Sequence, residues 1–192
     1  HTFRFSPDGK TLAIGASDRR IHLWAVEAES GRLALRQSLA ETGASVRDLS
    51  FRTDGRTLAS SHEDGSIYLW ALDAAGACPT GQAVQVLSGH RAGVWRLVFS
   101  PDGQHLASSS DDHSVLLWAM KGLPAAVAAQ PVARFDDHRG WVRALAFNVE
   151  GSALASASMD GTVRLWSVSG TPEDYAQISL FDSGENYPVT AI

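Results

Sequence analysis

FSPDGQHLASSSDDHSVLLW, residues 99–118, crowds serine, aspartate, histidine and tryptophan into twenty positions, and a further histidine, His90, lies eighteen residues before Ser108. Serine, histidine and aspartate are the working groups of a nucleophilic hydrolase. The stretch is therefore either a catalytic triad or a structural element built from the same side chains. Three other stretches bear on the choice, since they align with it without a gap: FSPDGKTLAIGASDRRIHLW (5–24), FRTDGRTLASSHEDGSIYLW (51–70) and FNVEGSALASASMDGTVRLW (147–166). Their tryptophans fall at 24, 70, 118 and 166, spacings of 46, 48 and 48. A fixed period of this size marks supersecondary units that stack on one another.

Each copy obeys one physical grammar. An apolar run ends at Phe5, Phe51, Phe99 or Phe147, and a four-residue turn follows, SPDG in its fullest form. Proline at the second turn position presets φ, and glycine supplies the left-handed conformation that leads into a hairpin strand. LAxxxS comes next, then a second turn at Asp64-Gly65, Asp160-Gly161 or their variants, then I/V-x-L-W. Short strands at this spacing predict an all-β chain of antiparallel sheets. IYLW and VLLW are apolar on both faces, so each sheet needs cover on both sides. A stack of sheets around an axis provides that cover.

Composition narrows the function classes. At 192 residues and 44% hydrophobic the chain has material for a sizeable core. A net charge of −5 argues against nucleic acid as a partner, because non-specific binding needs a clustered basic excess. No run of about eighteen apolar residues is present, so no membrane span is expected. GLPAAVAAQPVA (122–133) is apolar but short and broken by prolines, which predicts a connecting loop. The single cysteine, Cys78, excludes an internal disulfide, fits a reducing, cytoplasmic compartment, and reads as an incidental loop thiol.

The four units resemble WD40 repeats, whose usual period is about 40–45 residues. The resemblance covers essentially the whole chain. It implies a β-propeller segment of four four-stranded antiparallel blades, part of a seven- or eight-bladed ring. The WD dipeptide itself is altered, since the tryptophans are followed by Ala25, Ala71, Ala119 and Ser167. WD40 blades typically carry a buried Trp–Ser/Thr–His–Asp hydrogen-bonded network. The matching residues are His90, Ser108, Asp112 and Trp118 in the third unit, and His138, Ser156, Asp160 and Trp166 in the fourth, at identical spacings of 18, 4 and 6. On this reading the serine is an inner member of a structural network. A triad would require two equivalent buried sites, each with an oxyanion hole and access for substrate. The second unit keeps Ser60, Asp64 and Trp70 but has Thr42 in the histidine position, and the first keeps Asp18 and Trp24 but has Ile14 in the serine position. These two blades are expected to be more loosely held by polar contacts.

The units run approximately over 1–45, 46–93, 94–140 and 141–188, with 189–192 beginning a further inner strand. Because the chain starts and stops within strands, it is expected to be part of a larger protein. Closure of an eight-bladed ring by two copies is the other expectation, since open strand edges recruit strands.

WD40 propellers resemble interaction platforms, and partners often meet the face where inner strands begin and the second turns emerge. By alignment that face carries Ser45, Arg47 and Glu63, then Gly93, Trp95 and Asp111, then Trp141, Arg143 and Met159. Trp95 and Trp141 are the only tryptophans outside the x-L-W positions. Each is either cover for a gap between blades or an aromatic anchor rimmed by Arg47, Arg143, Glu63 and Asp111, the composition that interface hot spots favour. Mixed charge suits a protein or peptide partner. FDDH (135–138) offers possible metal ligands, but His138 belongs to the network, so no metal is expected, and no cofactor. The expected function is a non-catalytic protein–protein interaction scaffold. A narrower resemblance is to the C-terminal sensor propellers of bacterial signalling NTPases. The alternative is a structural blade module that closes a ring by self-association and binds no specific ligand.

Overall fold

The computed structural model describes residues 2–27, 29–121, 130–182 and 189. Their sixteen strands form four separate four-stranded sheets, each an antiparallel meander in sequence order. The first holds β1 (Thr2–Phe5), β2 (Thr11–Gly15), β3 (Ile21–Val26) and β4 (Leu33–Ser38). The second holds β5 (Val46–Phe51), β6 (Thr57–His62), β7 (Ile67–Ala71) and β8 (Gln85–Leu87). The third holds β9 (Val94–Phe99), β10 (His105–Ser110), β11 (Val115–Ala119) and β12 (Ala133–Phe135). The fourth holds β13 (Val142–Phe147), β14 (Ala153–Ser158), β15 (Thr162–Ser167) and β16 (Ala176–Asp182). Beyond these, the described residues hold one 3₁₀ turn, Pro172–Asp174.

The first turn of each repeat fixes the register of its sheet. In blade three, Ser100 Oγ donates to Asp102 Oδ1 at 2.5 Å and accepts from the His105 backbone at 2.9 Å, while Asp102 Oδ1 also takes the Gln104 N–H at 2.9 Å. Gly103 closes the turn at φ 66°, and Gly9, Gly55 and Gly151 do so at 70°, 67° and 71°, where a side chain would be strained. The same pairing follows every time: Trp24 lies opposite Leu12, Trp70 opposite Leu58, Trp118 opposite Leu106 and Trp166 opposite Leu154.

Because strand side chains alternate between faces, each sheet contributes to two cores. The inner strands β1, β5, β9 and β13 lie side by side in that order, and an apolar layer fills each gap between neighbouring sheets. Ile21 and Leu23 of blade one meet Leu49, Leu58 and Trp70 of blade two. Ile67 and Leu69 of blade two meet Leu97, Leu106 and Trp118 of blade three. Val115 and Leu117 of blade three meet Leu145, Leu154 and Trp166 of blade four. The last three tryptophans are therefore fully buried against the preceding blade. This is a propeller arrangement of blades.

Cys78 corrects the sequence reading. It is buried in the core between blades one and two, beside Leu39 and Leu72. Gln37 of β4 clamps its backbone, accepting from Cys78 N at 2.9 Å and donating to Cys78 O at 2.8 Å. The loop between β7 and β8 thus docks on the outer strand of the preceding blade. Most of the expected 122–133 loop, His1 and all of 188–192 except Val189 lie outside the described residues.

Candidate functional site

In blade three His90 Nε2 lies 2.8 Å from Ser108 Oγ and His90 Nδ1 3.2 Å from Asp112 Oδ2, while Trp118 Nε1 donates to Ser108 Oγ at 2.9 Å. Blade four repeats this: His138 Nε2 lies 2.7 Å from Ser156 Oγ, His138 Nδ1 3.1 Å from Asp160 Oδ2, and Trp166 Nε1 donates to Ser156 Oγ at 2.8 Å. The groups can be satisfied together: indole N–H to serine, serine O–H to one imidazole nitrogen, and the other imidazole N–H to the carboxylate. Two members of the ring escaped the sequence reading. Ser114 and Thr162, two residues after the aspartates, each donate a hydroxyl to them at 2.6 Å. The Arg91 and Arg139 backbone N–H groups complete the set at 2.8 and 2.7 Å.

The charge pattern follows from these contacts. Burial alone would raise the Asp112 carboxyl, but His90, Ser114 and the Arg91 N–H outweigh it and hold the group well below the usual carboxylate range. Asp160 is held low in the same way, chiefly by Thr162 and the Arg139 N–H. Burial pushes the His138 imidazole down despite the Asp160 hydrogen bond. Ser108 and Ser156 are wholly buried, and each oxygen already accepts an indole N–H. No substrate carbonyl reaches either oxygen in this arrangement.

Blade two is not left open, contrary to the expectation of looser polar contacts. His62, two residues beyond Ser60 on the same strand, turns its ring into the space that His90 and His138 fill from the preceding loop. Its Nε2 lies 2.9 Å from Ser60 Oγ, and its Nδ1 lies 3.1 Å from Ala44 O and 3.2 Å from Thr42 Oγ1. Trp70 Nε1 still donates to Ser60 Oγ, at 3.0 Å. The aligned residues Ser110 and Ser158 make the same contact to Ala92 O and Gly140 O, both at 3.0 Å. His62 thus performs both jobs, and Asp64 is left to close its own turn with Ser66. Blade one shows the opposite outcome. With Ile14 in place of the serine, the buried Trp24 Nε1 has no hydrogen-bond partner among the described residues, and Asp18 pairs with His22 at 3.0 Å.

The residues expected on the face where inner strands begin divide into two groups. Ser45, Gly93 and Trp141 each accept the backbone N–H of the second-turn residue in their own blade, Glu63, Asp111 and Met159, at 2.9–3.1 Å. Arg47 joins two blades, reaching Glu63 Oε1 at 3.1 Å and Asp111 Oδ2 at 3.0 Å, and Asp111 also accepts the Trp95 indole N–H. The Trp95 ring is gripped by two guanidinium groups from the flanking blades, with Arg47 Cζ 4.1 Å and Arg143 Cζ 3.6 Å from its centroid. Arg47, Glu63, Asp111 and Trp95 are therefore occupied with one another. Trp141, 45% exposed, and Met159, 37% exposed, are not. With Gly140 and His113 they line an apolar depression of about 280 Å³. His113 takes φ 69°, where the aligned residues are Gly65 and Gly161.

A second polar tie was not visible in the repeat pattern. Asp48, buried on β5, accepts Arg4 Nη2 at 2.9 Å from blade one and the Leu97 backbone N–H at 3.0 Å from blade three. One carboxylate thereby links three blades. Its only sequence signal is an acidic residue at a core-facing position of an inner strand, directly after Arg47.

Among the described residues no group of three or more His, Cys, Asp or Glu is arranged to hold a metal ion, and no helix is long and apolar enough to cross a membrane. No curated protein matches the chain. The family model for the WD domain, G-beta repeat matches it four times, at residues 1–25, 35–71, 81–119 and 129–167. Each match takes in an inner strand, its turn and the tryptophan strand that follows, which are the elements shared by the four sheets. Four matched repeats spanning most of the chain, each folded as a blade, show that it belongs to the WD40 repeat family.

Proposed function

We propose that this chain, like WD40 repeats generally, is a protein-interaction scaffold, and that it is non-catalytic and binds a protein or peptide, and no nucleic acid or membrane, at the corner of blades three and four. The observation that carries this reading is the half-exposed Trp141 with Met159 beside a depression, adjoining a Trp95–Arg143 stack that needs no further partner to be rigid. Rigid aromatic and arginine side chains bind with little loss of conformational freedom. The buried serines support the absence of catalysis. A sensor propeller within a larger protein, completed to seven or eight blades, and a cytoplasmic location belong to the same proposal; Cys78, buried and unpaired, fits the latter.

The test is a random peptide library displayed against the immobilised chain, with Trp141→Ala as the counter-variant. Peptides that bind the wild type and not Trp141→Ala, at an unchanged unfolding midpoint, support the reading. A library that yields none overturns it. Exposed Phe3 and Phe5 on blade one and Ile178, Leu180 and Phe181 on blade four favour self-association as a second reading. Light scattering tests that: a mass of twice 20.5 kDa supports pairing of copies, and a monomer removes it.

A further inference from the structure

Arg47 and Arg143 occupy the same position in their inner strands, one residue into β5 and β13, and both stack on Trp95. Their charges meet different fates. Arg47 is neutralised by Glu63, the second-turn residue of its own blade, and by Asp111, the second-turn residue of the next. In blade four the second-turn residue is Met159, so Arg143 has no carboxylate in the place where Arg47 has Glu63. Arg143 makes no ion pair among the described residues, and its Nε is buried without a hydrogen-bond partner. Its guanidinium is nonetheless fixed, 3.6 Å from the Trp95 centroid and 4.9 Å from that of Trp141. A guanidinium held by two indoles offers a carboxylate a pre-set fork of donors.

Arg91 and Arg139, on the loops that lead into β9 and β13, are exposed and form no side-chain ion pair among the described residues. Beside Arg143 lies the depression lined by His113, Gly140, Trp141 and Met159, with room for one bulky apolar side chain.

We propose that the corner of blades three and four recognises a segment of a partner protein in which an aspartate or glutamate side chain stands next to a bulky aliphatic or aromatic residue. The carboxylate supplies Arg143 with the counter-charge that Met159 does not, and the apolar neighbour fills the depression. This inference rests on the reading of that face as an interaction surface. Charge complementarity names the occupant, because the repeat itself shows in blade two which group completes this arginine.

The experiment uses peptides selected from the random library, synthesised with acetylated and amidated ends so that only side-chain carboxylates remain. Their affinities are measured by fluorescence anisotropy against the wild type, Arg143→Gln and Met159→Glu. The selected peptides are expected to share an acidic residue beside a bulky apolar one. Replacing that acid by its amide is expected to weaken binding about tenfold to a hundredfold, the range for a hydrogen bond to a charged group. Arg143→Gln is expected to lose the same factor and to become indifferent to the acid-to-amide change. Met159→Glu, which installs the carboxylate that blades two and three already possess, is expected to weaken acidic peptides by a similar factor while keeping the unfolding midpoint. Peptides that depend on Trp141 but are neutral or basic, or bind only through a free C-terminal carboxylate, would overturn the inference and leave the scaffold reading standing. Absence of any Trp141-dependent peptide would overturn both.

Discussion

His62→Ser puts into blade two the residue that blades three and four carry at the aligned positions, Ser110 and Ser158. Judged by repeat alignment the change is conservative. Judged by the structure it removes the imidazole on which Ser60, Thr42 and Tyr68 converge, the last by an edge-on ring contact at 4.8 Å. The new serine would keep the contact to Ala44 O, so the losses are the ring volume and the partner of Ser60. Large-to-small changes in a core cost about 2–5 kcal/mol, and a stranded buried polar group about 1–3. Some relaxation of Thr42 into the space places the expected loss near 3 kcal/mol. For a chain of this size that lowers the unfolding midpoint by about 6–12 °C. Thr42→His alone puts two imidazoles into one space and is expected to cost about 1–3 kcal/mol through overpacking. Combined, the two substitutions rebuild the arrangement of blades three and four, with Asp64 available to the new ring as Asp112 is to His90. The double variant is expected within about 1 kcal/mol of the wild type, a coupling of at least about 3 kcal/mol in a double-mutant cycle. Urea unfolding followed by tryptophan fluorescence gives all four stabilities. A double variant that loses the sum of the two single losses would refute the idea that one imidazole is exchanged for the other.

Adjacent serines should behave oppositely. Ser108→Ala strands the Trp118 N–H and His90 and is expected to cost about 2–3 kcal/mol, whereas Ser109→Ala removes a buried hydroxyl that has no partner among the described residues and should be neutral or stabilising in the same unfolding assay. His113→Gly relieves a side chain held at φ 69° and is expected to add about 1 kcal/mol, read as a raised thermal midpoint, while altering the wall of the Trp141 depression. Stability should also fall with pH in two stages. Burial holds the folded His62 and His138 imidazoles below their ordinary value near 6.5, so the unfolded chain binds more protons, and their contribution, complete above that value, is lost as pH falls below it. Asp112 and Asp160 are held below the ordinary 3.8 when folded, and their contribution is lost only as pH falls further through the folded values. An unfolding midpoint that is equal or higher at pH 5.5 than at pH 7.5 would contradict neutral buried imidazoles.

The repeat in the sequence determined the fold class, the four blades, their registers and the networks of blades three and four. Those features depend on residues at fixed offsets within one unit. His90, Ser108, Asp112 and Trp118 stand at intervals of 18, 4 and 6, so a second copy at the same intervals reveals them. Tertiary structure decided what the offsets do not encode. His62 takes over from a missing histidine because a ring hung two residues further along β6 happens to reach the same space. Asp48 binds partners 44 and 49 residues away, Arg47 binds Asp111 across 64 residues, and Gln37 holds Cys78 across 41. All of these contacts cross from one blade to the next. Alignment treats such positions as variable, because each neighbour presents different side chains to the gap between sheets. The same reason makes Arg143 unlike Arg47: the position is repeated, but its counter-charge depends on what the adjoining turn supplies.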